Sequence, residues 1–173
     1  MPEQPRSLEG DLASLHGASF GWALACTGRD RDSAADVLQQ AYWKVLSGRA
    51  RYDGRSQLKT WLFGVIRLTA LEQRRWAALR WLRGGHEPAE AASDEPSPSE
   101  DLAERETARL IGEALSELPP RQREILHLVF YEGIPLKEAA GIAGISLGSA
   151  SQHYERGKRR LLESLTQRGV RLP

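Results

Sequence analysis

The chain has 173 residues, 24 Lys+Arg and 23 Asp+Glu, a formal charge of +1 and a hydrophobic share of 40%. This suits one domain or two small ones with a genuine core, and it leaves no apolar run near the roughly 18 residues of a membrane span. Cys26 is the single cysteine, which excludes an intramolecular disulfide and a cysteine zinc cluster, and the opening MPEQPRSLEGDL lacks a secretory pattern, so the expected compartment is the cytoplasm.

Strand signals are weak and helical periodicity is strong, so the predicted fold class is all-α. Leu8, Leu12, Leu15, Phe20, Ala23 and Leu24 predict a first helix over about 7–27, stopped by Gly28. Asp30 or Asp32 can cap a second helix. Its apolar stripe is Leu38, Ala41, Tyr42, Val45 and Leu46, and Gly48 ends it. SGRARYDGRS reads as a loop. Ser56 is placed to cap a long third helix whose face is Leu58, Trp61, Leu62, Val65, Ile66 and Thr69. That helix continues past Trp76 to Leu82, with Gly84-Gly85 behind it.

Charge is unevenly distributed along the chain. Residues 1–85 carry 13 basic and 8 acidic side chains, residues 86–106 carry 1 and 8, and residues 107–173 carry 10 and 7. Two mildly basic segments therefore flank an acidic one, HEPAEAASDEPSPSEDLAERE. With Pro88, Pro96 and Pro98 and almost no large apolar residue, its middle predicts an extended or disordered linker.

Beyond it, Leu110, Ala114 and Leu118 share one face of a fourth helix, and Pro119-Pro120 ends it and opens the next. Arg121 to Tyr131 forms a fifth helix with Ile125, Leu128 and Val129 inward, ended by Gly133. Pro135 starts a short sixth helix and Gly144 turns the chain. Ser146 caps a seventh helix to about Arg168, with Ala150, Tyr154, Leu161, Leu162 and Leu165 as its apolar positions.

Residues 135–160 have the spacing of a helix-turn-helix. Ala140 is small at the crossing, Gly144 makes the turn, and Ile145 plugs it into the core. The outward face of the second helix then offers Ser149, Ser151, Gln152 and His153 for base edges, and Arg156, Lys158, Arg159 and Arg160 for phosphates. In the first half, Arg49, Arg51, Tyr52, Arg55, Lys59, Trp61, Arg67, Arg74, Arg75 and Trp76 interleave charge with rings, a pattern that suits single-stranded nucleic acid.

Two segments together resemble a family. Residues 33–76, SAADVLQQAYWKVLSGRARYDGRSQLKTWLFGVIRLTALEQRRW, are similar to the second conserved region of extracytoplasmic-function (ECF) sigma factors. Residues 115–165 resemble their fourth region, most specifically in LPPRQREIL, EGIPLKEAA and GISLGS. The resemblance implies two small helical bundles joined by an acidic flexible linker, the second containing the helix-turn-helix. Residues 1–84 would bind core RNA polymerase and the −10 element, 85–106 would be the linker, and 107–173 would read the −35 element.

The resemblance further implies polymerase contacts at Asp36, Gln39 and Gln40, the last standing where the family usually has an acid. It implies −10 contacts at Tyr52, Asp53, Arg55, Ser56, Leu68, Glu72 and Arg75, with Leu68 replacing a frequent Asn. It implies −35 contacts at Ser149, Ser151, Gln152, His153, Arg156, Lys158 and Arg159, with Ser151 and His153 in place of the usual basic pair. The implied partners are core RNA polymerase, promoter DNA and an anti-sigma factor. For the linker it suggests a charge mimic of RNA through Glu90, Asp94, Glu95, Glu100 and Asp101.

Two alternatives remain from sequence. One is a stand-alone helix-turn-helix regulator, which leaves the first bundle unexplained. The other is an interaction-only protein that binds polymerase or an anti-sigma factor. An enzyme is not expected. His16, His86, His127 and His153 share no metal-ligand spacing, and the chain has no nucleophile–base pair and no phosphate loop. No cofactor or metal is expected.

Overall fold

A computed structural model describes residues 8–84 and 102–170. The proposed charge mimic, Glu90 to Asp101, lies outside the described residues. The described residues form helices and turns with no strand, as an all-α class requires: α1 (Leu8–Ser14), α2 (His16–Cys26), α3 (Arg31–Leu46), α4 (Leu58–Leu82), α5 (Leu102–Ser116), α6 (Pro120–Leu126), α7 (Leu136–Ala143) and α8 (Leu147–Gln167). A π-helical turn, His127–Tyr131, continues α6.

Local chemistry accounts for most boundaries. The Asp30 carboxylate accepts from the Ser33 amide at 3.1 Å and caps α3. Ser146 does the same for Ser149 at the head of α8, also at 3.1 Å. Pro120 occupies the first turn of α6, where its missing N–H costs nothing. Gly144 closes α7 in the left-handed region at φ 64° and ψ 38°.

Several expectations need correction. The first helix is two, broken at Leu15. Ser56 does not cap α4. Gln57 holds the cap position, and the Ser56 carbonyl instead accepts from the Tyr52 hydroxyl. Helix α5 begins at Leu102, inside the span read as linker. Leu46 and Leu162 were expected inside but are exposed, each lying at the edge of its helix's apolar stripe, near the helix end. The fifth helix changes to π geometry at His127, with the Glu132 amide bonded to the His127 carbonyl.

The largest departure is that the two bundles share one core. Helices α2, α3 and α4 pack together, as do α6, α7 and α8, but α4 also packs on α7 and α2 on α6. One apolar cluster runs from Trp22, Leu62, Phe63 and Ile66 to Ile125, Leu128, Ile134, Ala139 and Ala150. Helix α4 is therefore buried on two sides. This explains why Phe63 and Arg67, off the predicted stripe, are inaccessible.

Polar contacts seal the same interface. The Arg67 guanidinium meets the Glu124 carboxylate at 3.2 Å, with both side chains buried. Arg123 of α6 reaches back to the Ala25 carbonyl at 2.9 Å, and also donates to the carbonyls of Ser116 and Leu118. It thereby satisfies one orphan carbonyl at the end of α2 from the opposite bundle.

Candidate nucleic-acid and polymerase interface

On α3, Asp36, Gln39 and Gln40 are all exposed and lie on one side of the helix, at spacings of 3 and 4. Trp43 continues that row one turn on. It is 51% exposed, with the Arg49 guanidinium 4.3 Å from its ring centroid. Sequence reading passed over Trp43, although its spacing of seven from Asp36 carries the signal. A large ring left in water on a polar helix face marks a docking surface.

The loop between α3 and α4 carries Tyr52, Asp53, Arg55 and Ser56, all exposed. Asp53 shapes it by accepting from the Arg55 amide at 3.1 Å and pairing with the Arg55 guanidinium at 3.3 Å. Gly54 takes φ 74° at the bend, where a side chain would be strained. The Tyr52 ring lies 5.3 Å from that of Trp61 on α4. Arg55, Ser56, Trp61 and Leu68 line one cleft, closed on its far side by Glu138 and Ile142 of α7. Leu68 is 59% exposed there, so the position has apolar contact to offer and no hydrogen bond.

The remaining −10 candidates stand apart. Glu72 is drawn to Lys44 of α3 by an ion pair of 2.5 Å and lines a different cleft, with Asp36 and Gln40. Arg75 is exposed near the end of α4, as are Trp76 and Trp81.

Helix α8 presents Ser151, Gln152, Arg156, Lys158, Arg159 and Arg160 to solvent. The Ser149 hydroxyl oxygen accepts from the Ser146 hydroxyl at 2.9 Å. Lys158 folds back over Tyr154, 4.7 Å from the ring centroid, and pairs with Glu155 at 3.1 Å. His153, expected to be exposed, is partly covered, and its Nδ1 is buried without a partner. Only part of that ring can face DNA. Gly157 lets α8 approach α6, since a Cβ there would stand 3.0 Å from Leu126 and 3.2 Å from Gln122. Gly157 was not singled out from sequence.

Three perturbed titrations lie at the junction between bundles. Burial disfavours the Glu132 carboxylate, but His127 and Lys59 outweigh it and hold the pKa below its ordinary value. Burial lowers the pKa of Arg123 and raises that of the Cys26 thiol, which leaves the thiol protonated and unreactive. Among the described residues no group of His, Cys, Asp and Glu is placed to hold a metal ion.

Comparison with known proteins supplies the context for these surfaces. The model described as Sigma-70 region 2 matches residues 14–84, and that described as Sigma-70, region 4 matches residues 114–167. RNA polymerase sigma factor CarQ of Myxococcus xanthus is 30% identical over 159 residues, covering 90% of this chain and 87% of its own length. ECF RNA polymerase sigma factor SigX of Bacillus subtilis is 26% identical over 138 residues, covering 75% and 69%. A solved structure of the sigma factor RpoE in complex with the anti-sigma factor NepR from Bartonella quintana covers 94% of this chain and 98% of its own, with a TM-score of 0.72. At 24% identity that likeness is one of fold.

Proposed function

The chain belongs to the sigma-70 family of RNA polymerase sigma factors, as an ECF member, and from that premise we propose how its surfaces divide the work of promoter-specific initiation. The protein is an alternative sigma factor that joins core RNA polymerase and directs it to promoter DNA. The α3 face of Asp36, Gln39, Gln40 and Trp43 docks on core polymerase, with Trp43 as its apolar anchor. Tyr52, Asp53, Arg55, Ser56 and Leu68 receive the melted −10 strand beside Trp61. Arg75 adds positive charge, and Glu72 works from the polymerase side of α4. Ser149, Ser151, Gln152, His153, Arg156, Lys158 and Arg159 read the −35 duplex from α8.

The observation that supports this division most directly is the separation of two exposed surfaces. A polar, Trp-anchored face lies on α3 in the region-2 match, and a basic face lies on α8 in the region-4 match. A stand-alone DNA reader has no use for the first. The chain acts as an initiation factor without catalysis of its own and works where the polymerase is, in the cytoplasm. Among the described residues no helix is long and apolar enough to cross a membrane. An anti-sigma protein is a further partner in this reading, supported by the fold likeness to RpoE solved with NepR and to CnrH solved with CnrY.

Trp43→Ala tests the division. Truncating an exposed anchor leaves the core intact, so circular dichroism and the unfolding midpoint stay unchanged. Affinity for core polymerase falls by about tenfold or more, as for a residue that anchors an interface. Binding of a −35 duplex by the free chain does not change. Undiminished polymerase affinity would overturn the placement of the docking face on α3.

A further inference from the structure

A cleft of about 860 Å³ opens where the end of α2 and the first half of α3 face the outer half of α4. Its volume falls in the range of small-molecule sites. Cations reach it from two elements. Arg74 and Arg80 line it from α4, and both are exposed. Among the described residues neither has an ion pair. Arg123 lines it from α6 and is only 6% exposed. Its Nε and Nη1 donate to the carbonyls of Ala25, Ser116 and Leu118. Its Nη2 has no such acceptor among the described residues and stands 3.6 Å from where a Cβ on Gly28 would be. Gly28 lines the same cleft, so its missing side chain leaves that corner of the guanidinium uncovered. Burial disfavours the Arg123 cation, and Arg29 and Arg74 repel it, which outweighs the attraction of Glu124 and lowers its pKa. A buried guanidinium among like charges gains most from an anion at its open nitrogen.

The rest of the lining narrows the class of anion. Trp76 borders the cleft and is 64% exposed, a free ring face on which a base can stack. Asp36, Gln40 and Gln73 add acceptors and donors suited to the hydroxyl and amino groups of a sugar and a base. Glu72, the other carboxylate of the lining, is held by Lys44 at 2.5 Å.

We propose that this cleft binds a nucleoside phosphate, with the phosphates at Arg74, Arg80 and Arg123 and the base against Trp76. Asp36 and Gln40 belong both to the cleft and to the polymerase-docking face, so ligand and core polymerase compete for them. The competition rests on the sigma-factor reading; the binding site does not. It follows mass action, so ligand at ten times its Kd raises the apparent Kd for core polymerase about elevenfold.

Calorimetric titration of the full chain with ATP, GTP, inorganic tripolyphosphate and adenosine tests the site. ATP or GTP should bind with a Kd of about 100 μM or tighter, and tripolyphosphate and adenosine each about tenfold more weakly or worse. Arg74→Gln with Arg80→Gln should weaken nucleotide binding about tenfold or more, and Trp76→Ala about fivefold or more. All three side chains are exposed, so circular dichroism should not change. Anisotropy of the labelled chain then measures its affinity for core polymerase. That affinity should fall about elevenfold at ten times the nucleotide Kd, and the effect should vanish in the Arg double variant. No nucleotide binding at about 1 mM, or binding that the Arg and Trp variants leave unchanged, would overturn the site. Tripolyphosphate binding as tightly as ATP would overturn the nucleoside assignment. Nucleotide binding with polymerase affinity unmoved would overturn the competition alone. A chain that binds core polymerase in no condition would overturn the sigma-factor reading, while the titration still decides the site.

Discussion

Trp22→Ala is expected to cost about 3–5 kcal/mol of stability, the range for deleting a fully buried large aromatic. Trp22 is 0% exposed. Its indole N–H donates to the Phe63 carbonyl at 2.9 Å, and its ring lies 5.7 Å from Phe63 and 5.7 Å from His127. One side chain therefore holds α2 to α4 and to the π-helical turn of the other bundle. Total stability of a protein this size is typically about 5–15 kcal/mol, so the loss takes a large share of it. Trp22→Phe should cost less, about 1–3 kcal/mol, because most of the volume stays and only the hydrogen bond and the second ring are lost. Urea unfolding followed by circular dichroism measures both. A Trp22→Ala midpoint within error of the parent would contradict the placement of this residue at the centre of a shared core.

The second large effect is at the buried ion pair. Removing one partner of such a pair strands the other charge and costs about 3–5 kcal/mol, whereas replacing both with apolar groups is often neutral or stabilising. Here the two partners are unequally supported. Glu124 has a second cation, Arg121, at 3.4 Å, so Arg67→Met leaves it partly paired. Glu124→Leu strands Arg67 in a site where it is 5% exposed and is the more damaging change. Because the pair joins two bundles, the chain has an escape: it can undock and hydrate the stranded charge. The penalty then saturates at the docking free energy, and the bundles part while each stays folded. Small-angle scattering should show Glu124→Leu expanded, Arg67→Met less so, and the double variant Arg67→Met with Glu124→Leu compact again. A double variant more expanded than either single one would contradict the ion-pair account.

The elements were largely legible because helices repeat every 3.6 residues and their caps are chemically distinct. Asp30, Ser146, Gly144 and Pro120 each occupy the position their chemistry prescribes. What could not be read was the docking of one bundle on the other. A periodicity reading of α4 assigns one buried stripe, so Phe63 and Arg67, which face the second bundle, look like solvent-side residues. Gln122, Arg123 and Glu124 are polar and carry no sequence signal of burial, yet all three are buried, and the two charged ones find partners across the interface. The π-helical turn leaves no side-chain signature. The candidate surfaces were partly legible. Polar residues at helical spacing disclosed the faces of α3 and α8, but the exposure of Trp43, the covering of His153 and the separation of Glu72 from the −10 loop depend on packing.

The near-zero charge of the chain gains a physical meaning from this arrangement. The cations of the first bundle are partly neutralised by glutamates of the second, so long as the two remain docked.

The most direct measurement is run-off transcription with core RNA polymerase on a library of genomic promoters, with and without the purified chain. The account predicts discrete transcripts from a shared −35 and −10 pattern that appear only when the chain is present and are lost when Arg156, Lys158 and Arg159 are replaced together by Ala. Transcripts identical to those of core polymerase alone would contradict it.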